Sequence, residues 1–189
     1  MALYKKEDEK FGVALAIIYA VAARIAPSMR RFYDFAAEDI REAGFSRVLD
    51  VGCGPGDVAI KVSAFCKDVT AIDPSEAMVW IAKHRKSKVK FLLGSSRAPN
   101  AKGKFGLIYS TLSFHHWPDK ARSLAVLGRM LSKGGEIRIY EFRRAKGIKS
   151  AANKHSMDMD ALKEAAFESG LRIVSVKRTK EFIRATLKF

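Results

Sequence analysis

Three glycines at alternate positions, Gly52, Gly54 and Gly56, stand between a short apolar run, Val48 to Val51, and a stretch from Val58 to Phe65 that is apolar at helical spacing. A chain that leaves a buried strand through such glycines turns tightly and carries no Cβ atoms where a ligand's sugar or backbone must lie. A helix starting just after the turn points its free N–H groups back over the gap. Asp50 precedes the glycines, and Asp73 follows Gly52 by twenty-one positions, at the end of a second run, Asp68 to Asp73. A carboxylate there is placed to accept hydrogen bonds from both hydroxyls of a ribose. The chemistry implied is the binding of a nucleotide-type cofactor. The dinucleotide fingerprint Gly-x-Gly-x-x-Gly is not met, because Asp57 stands where its third glycine belongs; this counts against a nicotinamide-dependent oxidoreductase.

A second group follows the run Lys104 to Ser110, in the segment T-L-S-F-H-H-W-P. Ligands of open α/β sheets bind outside the carboxyl ends of the strands, which places this segment beside a substrate. Phe114 and Trp117 are expected to form an apolar wall there. His115 and His116 are the titratable candidates near neutrality. Either one of them acts as a base, or both are structural, with one turned inward against a helix from Asp119 to Leu131.

Positioning these residues requires strands and helices in alternation. Pro27-Ser28 caps a helix running to about Ala43, and Pro74-Ser75 opens another through Ala82. Val89 to Leu93 reads as a third strand, Glu136 to Phe142 as a fifth after the turn Ser132-Lys133-Gly134-Gly135, and Met157 to Ser169 as a helix stopped by Gly170. Two final strands, Arg172 to Val176 and Phe182 to Leu187, complete an α/β three-layer sandwich.

The segments V-L-D-V-G-C-G-P-G and A-I-D-P-S resemble those of the class I S-adenosylmethionine-dependent methyltransferases, in particular the broad "type 11" group that includes small-molecule and quinone-ring methyltransferases. The resemblance covers nearly the whole chain and is specific at Val48–Gly56 and Ala71–Ser75. It implies a Rossmann-like, seven-stranded, mostly parallel sheet with an antiparallel last strand, in one domain over residues 1–189. Residues 1–46 would be N-terminal helices covering the cofactor and substrate side, and 47–189 the core. It further implies S-adenosyl-L-methionine as cofactor, with Asp73 on the ribose, Gly52, Gly54 and Gly56 along the methionine and sugar, Asp50 anchoring the loop, and Pro74 beside it. Met78 would lie on the adenine or, equally, fill the core. Ser95 and Ser96 would border the adenine and Ser110 the methionine part. Similar enzymes often carry an acid at the position of Ser95, so adenine recognition here rests on a hydroxyl. Tyr19, in the apolar stretch Phe11 to Ala26, joins Phe114 and Trp117 on the substrate side, unless that stretch only packs or lies on a membrane or partner.

The composition fits one domain of 189 residues with a sizeable core. The residues suggest no signal peptide, and no apolar run is long enough to be expected to span a membrane. Cys53 and Cys66 lack the spacing of a disulfide framework or a metal site, which suits a reducing cytoplasm. Glutamine is absent and asparagine occurs only at 100 and 153, against 35 Lys plus Arg, as in thermophile proteins. Positive charge is uneven: fifteen basic residues meet twelve acidic ones through residue 94, and twenty meet eight beyond it. A basic rim favours an anionic small molecule or RNA. The segment Ser113 to His116 lacks the Asn/Asp-Pro-Pro-Phe/Tyr element of amino-directed nucleic-acid methyltransferases, so RNA-directed methylation stands second. A non-catalytic RNA- or protein-binding module on the same fold is the alternative from another class.

Overall fold

A computed structural model describes residues 26–143 and 156–189. The expected first helix with Tyr19, and most of the basic stretch after Arg143, lie outside the described residues.

Helix α1, Pro27–Ala43, starts with proline in its first turn and ends on Gly44 at φ 70°, whose N–H bonds Arg41 O. No side chain caps its start: Ala26 holds the N-cap position, not Ser28. Strand β1, Arg47–Val51, leads through the glycines to α2, Asp57–Val62. Then come β2, Asp68–Asp73, and α3, Glu76–Lys83, capped by Ser75 Oγ accepting from Met78 N. Strands β3, Lys90–Leu93, and β4, Phe105–Thr111, precede a 3-10 turn at Phe114–His116 and helix α4, Lys120–Gly128, capped by Asp119. The chain closes through β5, Leu131–Phe142, α5, Met159–Glu168, β6, Arg172–Arg178, and β7, Phe182–Lys188.

These strands form one sheet in the order β3-β2-β1-β4-β5-β7-β6. The β1, β2, β3, β4 and β5 pairings are parallel, and β7 runs antiparallel to both of its neighbours. The seven-stranded, Rossmann-like sandwich expected from the sequence is thus the fold. Strand β5 begins five residues earlier than expected, because Leu131 pairs with Phe105 across an irregularity in the ladder and the glycine turn is absorbed into the strand. Strand order reverses between β1 and β4, the point at which open α/β sheets leave a crevice at their carboxyl ends.

The sheet is buried on both faces. On one side Leu49, Ile108, Ile137 and Ile139 pack with Leu124 and Leu127 of α4 and Leu162 and Ala165 of α5. On the other, Val48, Leu107 and Tyr140 meet Phe32, Ala36 and Ile40 of α1 and Val58 and Val62 of α2. The helical spacing of 32, 36 and 40 is what puts that stripe on the sheet.

One acid ties α1 to the C-terminal strands. Asp39, 4% exposed, accepts from Arg138 Nη1 at 2.8 Å, Tyr140 Oη at 2.8 Å and Lys177 Nζ at 2.8 Å, and lies 3.2 Å from Arg184 Nε. Glu136 takes Arg138 Nε at 2.6 Å and Lys188 Nζ at 3.1 Å. Burial alone would raise the Asp39 pKa, but the hydrogen bonds from Lys177 and Tyr140 and the charges of Arg184 and Arg138 hold it below its ordinary value. Arg138, inside the largely apolar strand β5, is explained by this partner on a helix 99 residues away.

Removing the acid leaves three cations around an apolar site, so Asp39→Ala should cost about 3–5 kcal/mol of stability in urea unfolding, the cost of breaking a buried pair. A depressed carboxylate pKa contributes stability above the unfolded value of about 3.9 and loses it below. The gap between wild type and Asp39→Ala should therefore narrow as pH falls under about 4.

Candidate functional site

The glycine loop is built from both sides of the crevice. After β1, Gly52 N and Cys53 N both donate to Ile72 O of β2, at 2.8 and 3.0 Å. Gly52, Gly54 and Gly56 all have positive φ, at 76°, 53° and 83°, which L side chains rarely adopt. Their surroundings differ. A Cβ on Gly52 would overlap Ser113 Oγ, and one on Gly56 would lie 2.7 Å from the Phe91 ring, whereas one on Gly54 meets nothing within 4 Å. Two of the three glycines therefore admit the protein's own side chains, and Gly54 alone faces open space. Arg85 pins the end of the loop, donating from Nη1 to Pro55 O at 2.7 Å and to Asp57 Oδ1 at 2.8 Å.

Asp73 ends β2 beneath this loop. Its Oδ1 accepts from Ser75 N at 2.9 Å and its Oδ2 from Gly54 N at 2.8 Å. Burial pushes its pKa up to about 6, against the downward pull of those two N–H groups. Asp50 is fully buried, and neither of its oxygens has a hydrogen-bond partner among the described residues. Burial drives its pKa to about 8; the Tyr109 hydroxyl, at the paired position of β4, pulls it down without reaching hydrogen-bond geometry, and the Asp73 charge pushes it up. The Tyr109 and Ser110 hydroxyls are likewise buried without a partner among the described residues. Four orphaned polar atoms at the ends of β1 and β4 are an unusual concentration for a folded interior.

A cleft of about 50 Å³ opens beside Gly54 and Pro55, bounded by Tyr33 of α1 and by Thr111 and Leu112. Leu112 has φ 51°, strained backbone for a leucine, and its N–H is held by Tyr140 O at 3.0 Å. A larger cavity of about 390 Å³ lies at the other end of the sheet, between Leu131, Lys133, Lys188 and Phe189; no acid or histidine lines it. No group of three or more His, Cys, Asp or Glu able to hold a metal occurs among the described residues.

Other expected residues stand differently. Phe114 and Trp117 are 2% and 5% exposed and pack edge-to-face in the core with Leu124 and Leu127, so they form no wall toward the crevice. The tight turn rolls both rings under itself. Ser96 Oγ bonds Ser123 Oγ at 2.8 Å, and Ser95 Oγ accepts from Ala98 N at 3.2 Å, so both hydroxyls serve the loop after β3. Met78, 4% exposed, packs with Ala77 and Ile81 at the start of α3, and Pro74 sits half-buried between Asp73 and the Ser75 cap. His116 is exposed, its ring 4.0 Å from that of His115. His115 Nδ1 lies 3.1 Å from both carboxylate oxygens of Glu141. Two residues at the site carry no signal in the sequence: Glu141 sits inside an apolar strand, and Tyr33 is indistinguishable there from any aromatic on a packing helix.

The contrast between the glycines is open to a direct test. Gly54→Ala pays only backbone strain, about 1–2 kcal/mol, whereas Gly52→Ala adds overlap with Ser113 and should unfold at distinctly lower urea. Ser113→Gly in the Gly52→Ala background should recover part of that loss, and no recovery would show that the contact is not what excludes a side chain.

Residues 49–139 match the family described as methyltransferase domain. An uncharacterized methyltransferase of Bacillus thuringiensis is 31% identical over 108 residues, 56% of this chain and 51% of its own length, so the match spans about half the length of the curated relatives. Among solved structures, a SAM-dependent methyltransferase from Aquifex aeolicus superposes with a TM-score of 0.75 at 21% identity, covering 94% of this chain and 98% of the other. A TehB-like SAM-dependent methyltransferase from Corynebacterium glutamicum gives 0.70 at 19%, covering 94% and 99%. An O-methyltransferase of neocarzinostatin biosynthesis, in complex with S-adenosyl-L-homocysteine and 1,4-dihydroxy-2-naphthoic acid, gives 0.76 at 16%, covering 93% and 58%. At these identities the structures share the fold with this chain. The chain is thus similar, over residues 49–139, to the methyltransferase domain, and it shares its fold with solved S-adenosylmethionine-dependent methyltransferases.

Proposed function

We propose that the chain is an S-adenosyl-L-methionine-dependent methyltransferase that moves a methyl group to an oxygen, nitrogen or carbon atom of a small, anionic acceptor in the cytoplasm. The observation that carries this reading is the pair of buried acids around Gly54. Asp73 has each oxygen held by one backbone N–H, and a carboxylate oxygen accepts more than one hydrogen bond, so both remain able to take ribose hydroxyls. Asp50 is a buried carboxyl without a partner among the described residues, and such a group calls for a cationic or hydrogen-bonding ligand nearby. These residues fit a cofactor that carries a ribose, an ammonium and a sulfonium. Gly54 gives it room, and Ser110 offers an unused hydroxyl. Pro74 and Met78 would support the adenine side.

When bound, the cofactor supplies a methyl already attached to a good leaving group. The protein's own work is then binding, orientation and exclusion of water. Tyr33 and helix α1 would cover the crevice, in one domain over 1–189 divided near residue 46. The similar O-methyltransferase of neocarzinostatin biosynthesis is in complex with S-adenosyl-L-homocysteine and a small aromatic acid, which supports a small acceptor here. Four cations of the C-terminal half converge on buried acids: Arg138, Lys177 and Arg184 turn to Asp39, and Lys188 to Glu136. These four are committed to the protein's own acids, and the small-molecule reading rests on the similar O-methyltransferase above.

Asp73→Asn should weaken S-adenosylmethionine binding at least about tenfold in calorimetry, the loss of charge-assisted hydrogen bonds; unchanged affinity would remove Asp73 from the ribose. Because the free Asp73 has its pKa raised to about 6, affinity should rise with pH through that value, by at most about tenfold per unit. The same raised pKa values, about 6 and about 8, favour the protonated ligand-free fold. Its thermal stability should accordingly drop as pH climbs from about 4 toward 8.

A further inference from the structure

Glu141 and His115 form a second arrangement of titratable groups at the carboxyl ends of the sheet, and cofactor binding gives them no task. Glu141 is the penultimate residue of β5 and is 0% exposed. A buried acid needs partners, and the backbone of Phe114 and His115 lies close enough to pull the Glu141 pKa down against burial. The 3-10 turn therefore lies against the acid. The imidazole supplies the hydrogen bond: Nδ1 of His115 lies 3.1 Å from both oxygens. A carboxylate facing Nδ1 fixes the proton on that nitrogen and makes Nε2 the basic one. Burial raises the Glu141 pKa, and the His115 hydrogen bond works against that rise, so the acid carries its charge best with the imidazole in place.

The turn is also tied to the crevice. Thr111 and Leu112, just before it, bound the cleft beside Gly54, and Ser113 fills the space over Gly52. His115 therefore stands two residues beyond the contact between the turn and the glycine loop.

We propose that Glu141 positions His115 as general base for the acceptor, and that the acceptor is a weakly acidic hydroxyl of the phenol class. The proposal rests on the methyltransferase reading above. The acceptor's oxygen–hydrogen bond breaks as its bond to the methyl carbon forms. The proton passes to Nε2 of His115, the methyl–sulfur pair stays with sulfur, and the imidazolium is held against the Glu141 carboxylate. A neutral phenol is a poor nucleophile and its anion a good one, and its proton lies within reach of an imidazole, whereas an aliphatic alcohol's does not. A neutral amine or an existing carbanion would gain nothing comparable from the pair.

The test uses the full chain, tritium-labelled S-adenosylmethionine, and two probe acceptors, 4-hydroxybenzoate and para-nitrophenol, the latter largely ionised in mildly alkaline buffer. His115→Asn keeps a donor for Glu141 and removes the base. It should lower turnover of 4-hydroxybenzoate about 10²–10⁴-fold, the usual contribution of a general base, and turnover of para-nitrophenol about threefold or less. Glu141→Gln should lower the first about 10–100-fold, as loss of an orienting partner does, and should shift His115 toward the Nε2–H tautomer in nitrogen-15 NMR. Equal losses on both probes, an unchanged tautomer in Glu141→Gln, or methylation of neither probe overturns the proposal. Calorimetry with S-adenosylmethionine separates the two readings: wild type that binds it while failing with both probes leaves the methyltransferase reading standing, and wild type that does not bind it removes both.

Discussion

Ser113 packs so closely over Gly52 that a Cβ at position 52 would overlap its side chain, and that close approach fixes how the two loops of the site meet. It joins the loop after β1 to the turn after β4, the two strands between which the order of the sheet reverses. Because Gly52 N and Cys53 N hang from Ile72 O of β2, the contact passes its register to Asp73 at the end of that strand. Three strands thus agree on where the open space at Gly54 lies. A site defined this way is made by backbone and small side chains, which hold their positions more tightly than long ones.

The acids follow from that arrangement. Asp73 is held by two N–H groups, one of them from Gly54 itself, so the loop and the acid orient each other. Asp50 receives no such support and sits in the interior as a carboxyl that prefers its proton. Strained or unsatisfied groups persist where the surrounding structure overrides them, and they gather at functional sites. Leu112, held at positive φ by its bond to Tyr140 O, belongs to the same region.

Much of this was legible in the residues. The strand-glycine-helix succession from Val48, the acid at 73 and the caps at Ser75 and Asp119 depend on local chemistry, and each is found where that chemistry puts it. What escaped depends on distant parts of the chain. Nothing near Gly52 announces that its neighbour is Ser113, 61 positions on. Arg138 reads as an interruption of its strand until Asp39 supplies its partner, and Glu141 is hidden because an acid within an apolar strand has no local signature. Their place after β4 points Phe114 and Trp117 toward the crevice, yet a 3-10 turn follows the strand and both rings lie in the core.

The antiparallel insertion of β7 has a consequence for how the molecule is made. β6 has no edge to join when it leaves the ribosome, since its sole neighbour in the sheet is the strand that follows it. The flank of β5 stays open through the synthesis of α5 and β6, an interval in which an exposed strand edge invites wrong partners. Phe182 to Lys188 then closes two ladders together and brings Arg184 to Asp39. Nascent chains stalled before that segment should be the form most dependent on chaperones.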